Sequence, residues 1–358
     1  MLKRKTGTAV RALRTPNHVE QHTVGNLDRR SFLMASGLGA AALMAPITAA
    51  GRVQAAPSVA PALSPEIKHI KTICQFCSVG CSIWAEVQNG AWIGQEPVFE
   101  SPINQGTHCC KGAAMREISQ GERRLKYPMK KVDGEWTRIS WDQAISEISQ
   151  KLQTIRTDYG PDSAYWLGSA KFSNEQAYLF RKFAAYWGTN NVDHQARICH
   201  STTVAGVSNI YGYGAMTNTF NDIRNSKSII IIGGNPAEAH PVSMLHVLNA
   251  KEDGSKLIVV DPRFTRTAAH ADEYVRIRPG SDIGFLMGLV REVLANGWEA
   301  KEYIEQRVWG IEEIRAEAEN WTPEEVERVS GIPADQTRKV AQMLAENRPG
   351  TLVWCMGL

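Results

Sequence analysis

Three thiols fall within eight residues in Cys74-Gln75-Phe76-Cys77-Ser78-Val79-Gly80-Cys81, and after 27 more residues the chain returns to sulfur at the adjacent pair Cys109–Cys110. Packing alone does not call for so many cysteines so close together. Thiolates at this spacing can all reach into one small volume, where a soft metal centre takes the place of their protons. Such a cluster reads as a disulfide framework, a structural zinc site or an iron–sulfur cluster. Structural zinc is usually held by two separated Cys-x2-Cys pairs, whereas a tight run of three with a distant fourth suits a cubane. The spacing therefore favours a [4Fe–4S] cluster over zinc and over disulfides. One thiol of the Cys109–Cys110 pair is spare.

Ahead of the cysteines, Asp28-Arg29-Arg30-Ser31-Phe32-Leu33-Met34 has the twin-arginine pattern, and no charged residue occurs from Ser31 to Ala50. Small residues from Ala49 to Ala56 offer cleavage points. Residues 1–56 therefore read as an export signal, to be set aside from the fold. The uncharged run is about long enough to span a bilayer, but its scarcity of Leu, Ile and Phe favours the signal over an anchor. Twin-arginine export carries folded proteins, the route needed when a cofactor is inserted first. Leader and cysteine cluster thus support each other and point to the periplasm. Charge divides at the same place. Residues 1–52 hold eight Lys/Arg against two Asp/Glu, and the remainder holds 32 against 35. The exported part is mildly acidic, which leaves no argument for nucleic acid.

Past a Pro/Ala-rich linker at 57–66, the cysteine module is expected to run over 67–127. Ile83-Trp84-Ala85-Glu86-Val87 and Ala91-Trp92-Ile93-Gly94 flank Gln88-Asn89-Gly90, the strongest short hairpin signal, so the module should be β-rich. From 128 the pattern changes. Ser140-Trp141-Asp142-Gln143 is a capping box, and Trp141, Ile145, Ile148, Leu152 and Ile155 keep helical spacing until Gly160-Pro161. Ala164 to Gly168 reads as a short buried strand. Ser173 to Gln176 is a second capping box, opening a helix to about Trp187, and 191–203 is a polar loop running into another helix.

Ser228 to Ile232 and Lys256 to Val260 are apolar strand runs, separated by a helix over about His240 to Ala250. Tyr274 to Ile277 is a third strand, and Gly280-Ser281-Asp282 opens a helix carrying Leu286, Leu289, Val290 and Val293. This alternation predicts an α/β domain over 128–358, built on a doubly wound, mostly parallel sheet. Its C-terminal part is largely helical (298–306, 322–329 and 334–347). Thr351 to Met356 is again a buried-strand pattern, close to the last residue, which reads as an incomplete domain on a truncated chain. In such sheets ligands sit at the carboxyl ends of strands, here Gly233, Gly234, Asn235, Asp261, Arg263 and Asp282. Glycines permit close backbone approach, aspartate accepts from ribose hydroxyls or guanine, and a helix N-terminus favours phosphate. No Gly-x-Gly-x-x-Gly occurs, so an ordinary NAD site is not supported. Taken alone, these residues are first of all loop formers. By the same standard Lys111 is a solvated lysine, Cys199 a buried thiol and His200 a loop histidine.

The order of the motifs changes that weighting. The leader is followed by Cys74-x2-Cys77-x3-Cys81, Cys109-x-Lys111-Gly112, Ala196-Arg197-Ile198-Cys199-His200, Gly234-Asn235-Pro236-Ala237-Glu238-Ala239-His240-Pro241 and Asp261-Pro262-Arg263-Phe264-Thr265-Arg266-Thr267-Ala268. This set resembles the catalytic subunits of molybdenum- or tungsten-dependent formate dehydrogenases. These belong to the wider family of oxidoreductases carrying a bis-pyranopterin guanine dinucleotide, and the resemblance runs from Thr72 to the last residue. It implies that Cys109, rather than Cys110, joins Cys74, Cys77 and Cys81 as ligands of a [4Fe–4S] cluster. It implies that Cys199 ligates Mo or W, at a position where many relatives carry selenocysteine, and that His200 beside the metal handles the substrate's proton. Lys111 would lie between cluster and pterin, where its charge helps electrons cross, and Asn235, Asp261, Arg263 and Asp282 would contact the cofactor. His240 and His270 look structural.

The implied reaction takes formate to carbon dioxide, two electrons and a proton. The electrons would pass through pterin and cluster to an iron–sulfur partner subunit, and on to a membrane cytochrome b. Periplasmic nitrate reductases of the same family typically place Met after the metal-binding Cys, so His200 favours formate. Family members extend far beyond residue 358, and the rest of the cofactor cradle is expected there. Two readings compete: another pterin oxidoreductase such as a nitrate reductase, and an inactive fragment that holds a cluster but no pterin.

Overall fold

The computed structural model describes residues 66–355 and 358. The twin-arginine leader, its cleavage region and almost all of the linker lie outside the described residues.

The cysteine region is built on an antiparallel sheet of β1 (Lys68–Ile73), β2 (Ser82–Gln88) and β3 (Ala91–Pro97) in that order. β2 and β3 form the expected hairpin, with Asn89 and Gly90 both left-handed (φ 51° and 79°), the conformation a tight hairpin turn needs. β1 escapes the sequence pattern because its residues are mostly exposed and show no alternation. It pairs with β2 along its whole length, so the turn joining them, residues 74–81, carries three thiols. Two short helices follow, α1 (Cys110–Ala113) and α2 (Met115–Gln120), and then a small hairpin of β4 (Met129–Val132) and β5 (Glu135–Arg138).

α3 (Trp141–Tyr159) begins where Ser140 accepts a hydrogen bond from the Gln143 N–H. α4 (Asn174–Trp187) begins with the complete reciprocal box between Ser173 and Gln176. Between them, β6 (Trp166–Gly168) does not join the main sheet. It pairs in parallel with β7 (Val192–His194), a strand inside the stretch that reads as polar loop, and Trp166 packs edge-on against Phe180, Phe183 and Trp187 of α4. The apolar stripe of α3 also departs from expectation, for Trp141, Ile145 and Ile148 are 64%, 59% and 60% exposed. Periodicity marks a face that needs cover; it does not supply the cover. α5 (Ala196–Cys199) and α6 (Ser201–Tyr211) follow β7 directly.

The main sheet contains β8 (Ser228–Ile232), β9 (Lys256–Val260), β10 (Glu273–Val275) and β11 (Gly350–Trp354), in the order β10-β9-β8-β11 and parallel throughout. The helix expected over about His240 to Ala250 starts later than expected, and a short helix precedes it that was not expected. Pro236 opens α7 (Pro236–Ala239), Pro241 opens a single 3-10 turn, and α8 (Met244–Glu252) starts only after it, since proline lacks the N–H a continuing helix would use. Beyond β10 come α9 (Asp282–Ala295), α10 (Lys301–Arg307), α11 (Ile311–Glu319), α12 (Pro323–Ser330) and α13 (Ala334–Glu346). Of these, α11 was not among the expected helices.

Both faces of the sheet are covered, which is why its central strands are apolar without alternation. Ile230, Ile232, Ile258 and Val260 pack with Phe285, Leu289 and Val340 of α9 and α13. Their neighbours Ile229, Ile231, Leu257 and Val259 pack with Met244 and Val247 of α8. Each of these fully buried side chains contributes roughly 1.5–3 kcal/mol by leaving water. The expected architecture, a small β-rich module followed by a doubly wound parallel α/β domain, is the one observed.

Candidate functional site

The thiols come together because the turn after β1 is closed tightly. The Cys74 N–H donates to the Cys81 carbonyl at 2.8 Å, and Gly80 takes a left-handed φ of 69°, which side-chain-bearing residues adopt at a cost. Cys109 arrives from the other side as the residue capping α1. Gly112 lets that helix approach, since a Cβ there would lie 3.0 Å from His108 Cβ and 3.9 Å from Cys74 Sγ. Cys74 and Cys81 are buried, Cys77 and Cys109 are half-buried, and Phe76, Val79, Ile83 and Met115 complete an apolar shell. Cys110 is exposed and outside this shell.

Burial pushes the Cys81 thiol up to about 12, and the neighbouring Cys74, Cys77 and Cys109 add to the rise. Burial likewise raises Cys74, against the hydrogen bond from the Phe76 backbone. A metal centre would have to displace these protons and compensate the charge. All seven cysteines are free, so the disulfide reading finds no support. Among the described residues no three His, Cys, Asp or Glu side chains close to the spacing of a single ion.

Lys111 is half-buried, and its Nζ donates to the carbonyls of Ala239 at 2.9 Å and Glu238 at 3.4 Å. Those carbonyls end α7, where the unpaired C=O groups favour a cation. Burial, with the Lys111 charge close by, holds His240 below the usual histidine range. The thiol cage is thereby joined to the segment leaving β8.

At the carboxyl edge of the main sheet, Gly233, Gly234 and Asn235 follow β8, Asp261 and Arg263 follow β9, and Asp282 opens α9. A Cβ at Gly234 would lie 2.9 Å from Cys355 Sγ beyond β11, so glycine lets the two strand exits pass. Asn235 Oδ1 accepts from Thr267 Oγ1 at 2.8 Å and from the Thr267 N–H at 3.3 Å, binding the loops after β8 and β9 together. Asp261 is buried and Oδ1 accepts from the Arg263 N–H at 2.8 Å, while Tyr274 donates to the Asp261 carbonyl at 2.9 Å. Arg263 itself is exposed and Asp282 half-buried.

Cys199 closes α5 and His200 joins it to α6. The segment is braced at its base: Arg197 Nε meets Asp193 Oδ2 at 2.7 Å, and that hydrogen bond holds the Asp193 carboxyl below its ordinary range. Gln195 Oε1 accepts from the Ala170 N–H at 2.9 Å. At its top, Trp354 Nε1, on the last residue of β11, donates to Thr203 Oγ1 at 3.2 Å. That bond ties α6, which His200 opens, to the carboxyl end of β11. The Cys199 thiol is exposed, and His200 Nδ1 is buried without a hydrogen-bond partner. Buried polar atoms are rarely left so, and an open thiol beside an unsatisfied imidazole nitrogen fits a bound group on this side. Thr267, Thr203 and Gln195 make ties that sequence reasoning missed. Each acts through a long-range contact that no local spacing announces.

The pattern of the molybdopterin oxidoreductase Fe4S4 domain is matched by residues 67–121, and that of the molybdopterin oxidoreductase family by residues 124–343. The chain belongs to the molybdopterin oxidoreductases, enzymes whose cofactors here are a [4Fe–4S] cluster and a Mo- or W-pterin. Within that class its relatives include formate dehydrogenases. It is 38% identical over 294 residues to F420-dependent formate dehydrogenase 1 subunit alpha of Methanococcus maripaludis, covering 82% of this chain and 43% of that protein. It is 37% identical over 300 residues to formate dehydrogenase H of Escherichia coli, covering 82% and 42%. The chain thus spans about two fifths of the length of these relatives. Among solved structures it resembles acetylene hydratase from Pelobacter acetylenicus, with a TM-score of 0.70 and 29% identity over 80% of this chain and 40% of that one. Among the described residues no helix is long and apolar enough to cross a membrane.

Proposed function

We propose that the chain is part of the catalytic subunit of a formate dehydrogenase, oxidising formate to carbon dioxide. The observation that carries the redox part of this reading is the Lys111 bridge, which joins the four-thiol cage to the loop leaving β8. The fold does not choose the substrate, as the acetylene hydratase neighbour illustrates. That choice rests on the formate dehydrogenase relatives and on His200 following Cys199.

When bound, the Mo- or W-bis(pyranopterin guanine dinucleotide) supplies two-electron chemistry and the [4Fe–4S] cluster one-electron relay. Cys74, Cys77, Cys81 and Cys109 would hold the cluster, and the exposed Cys199 thiol would ligate Mo or W. His200, with its free Nδ1, is the group that takes the substrate's proton. Asn235, Asp261, Arg263 and Asp282 would contact the dinucleotide at the sheet edge, with the Arg263 guanidinium free to meet phosphate. Lys111 places a cation between the two centres. Electrons would leave to an iron–sulfur subunit and a membrane cytochrome b, and the twin-arginine pattern at Arg29–Arg30 would deliver the folded subunit to the periplasm.

The test is formate-dependent reduction of a viologen dye by the native protein, with Fe, Mo and W measured on the same sample. Formate-dependent reduction with Fe and with Mo or W present is expected. Nitrate-dependent oxidation of reduced dye, with no response to formate, would replace formate dehydrogenase by nitrate reductase. Iron without Mo or W would leave only a cluster-binding protein.

A further inference from the structure

We propose that Lys171 is a positioning residue for the iron–sulfur cluster: its ammonium ties the cysteine turn to the segment carrying Cys199 and keeps a positive charge beside the cluster. The proposal rests on the cluster reading given above. Lys171 lies between β6 and α4, yet its Nζ donates to the Gln75 carbonyl at 2.6 Å and to the Phe76 carbonyl at 3.2 Å. Both carbonyls belong to the turn between Cys74 and Cys77. The same short loop reaches the other way, since the Ala170 N–H donates to Gln195 Oε1 at 2.9 Å, and Gln195 is the residue that caps α5.

A bland reading makes Lys171 an ordinary surface lysine, and its side chain is indeed largely exposed. A solvated lysine keeps its rotamer entropy, however, whereas Lys171 donates to two successive carbonyls 96 and 95 residues away. Lys111 and Lys171 therefore make reciprocal ties. The first reaches from the cage to the α/β domain; the second reaches from the α/β domain back to the cage.

The charge has a direct consequence. A cluster held by four thiolates is anionic and becomes more so when it takes up one electron, with no proton moved and no bond broken. A fixed cation stabilises the reduced form more than the oxidised form, so Lys171 raises the cluster's reduction potential. The experiment is an EPR-monitored titration of the full cluster-loaded chain, poised with dithionite through redox mediators, for wild type, K171Q and K171R. At the wild-type midpoint K171Q should show a several-fold lower ratio of reduced to oxidised cluster, and K171R a ratio near wild type. A tenfold change would correspond to ~59 mV for this one-electron couple.

An unmoved midpoint in K171Q with full iron content overturns the proposal. If K171Q loses its iron, retention by K171R supports a requirement for charge at this position, and loss from both variants overturns it. A wild-type chain without any cluster signal overturns the cluster reading itself and this proposal with it.

Discussion

Replacing Gly288 with alanine should destabilise the chain, although alanine is the better helix former. Gly288 lies in α9, where a Cβ would sit 2.8 and 2.9 Å from the two methyls of Val326 and 3.3 Å from Thr337 Cγ2. Val326 of α12 and Thr337 of α13 are buried to 1% and 3% exposure, so neither side chain can turn away and the helices themselves must separate. Alanine gains about 1 kcal/mol in helix propensity, against about 1–3 kcal/mol for forced overpacking. Overpacking wins, by about 1–2 kcal/mol at the upper part of that range. At about 2–4 °C per kcal/mol for a domain of this size, the melting midpoint should fall by on the order of 2–8 °C. Gly206 of α6 is the control, because nothing lies within 4 Å of its Cβ position, and Gly206→Ala should raise stability by up to about 1 kcal/mol. Far-UV circular dichroism melts, with urea titrations to guard against irreversible heating, would measure both. A Gly288→Ala protein that melts at or above wild type would refute the packing of α9 against α12. If the two variants moved by the same amount in the same direction, the tertiary argument would fail altogether.

Three further outcomes are expected. Cys77→Ala should abolish the cluster's low-temperature EPR signal while Cys110→Ser leaves it intact; the signal surviving Cys109→Ser but not Cys110→Ser would reverse the choice within that pair. Arg338→Ala leaves the buried Glu292 carboxylate with Arg291 and Asn296, both at 3.4 Å, in place of Arg338 at 2.9 Å, so the urea midpoint should drop. No change there would mean that water already serves that carboxylate. At Asp272, burial opposes ionisation, but the Leu257 N–H at 2.7 Å and the Lys251 ammonium at 2.9 Å outweigh it and hold the carboxyl below its ordinary range. A depressed folded value means its stabilisation is present above the unfolded value of about 4 and is lost as pH falls through the folded one. The group is partly exposed, so the effect should stay below about 1 kcal/mol. Asp272→Asn should flatten the acid limb of the stability curve, and parallel limbs for the two proteins would count against the pairing.

What could be read from the chain was local chemistry repeated at short range. The run Cys74 to Cys81, the Asn89–Gly90 turn, the caps at Ser140 and Ser173, and the unbroken apolar strands of β8 and β9 each need only a few consecutive residues to declare themselves. The order of β8, α8, β9 and α9 followed, and with it the carboxyl edge that bears Asn235, Asp261 and Asp282. β1 and β7 stayed hidden because a strand that is mostly exposed, or only three residues long, has no alternation to show. Pro241 displaced the start of α8, a boundary effect that apolar spacing does not register.

The amino-acid sequence by itself determined which groups are available: four thiols for a cage, a Cys–His pair, and a sheet apolar on both faces. Tertiary structure decided which of them meet. It set Cys109 inside the apolar shell and Cys110 outside, brought Lys111 to the carbonyls of α7, and carried Lys171 across to the cysteine turn. It also left the stripe of Trp141, Ile145 and Ile148 exposed where spacing alone would bury it. The physical reason is the same in each case. Periodicity and capping are energies of neighbours along the chain, whereas a hydrogen bond or a covered face between distant segments depends on how whole elements pack.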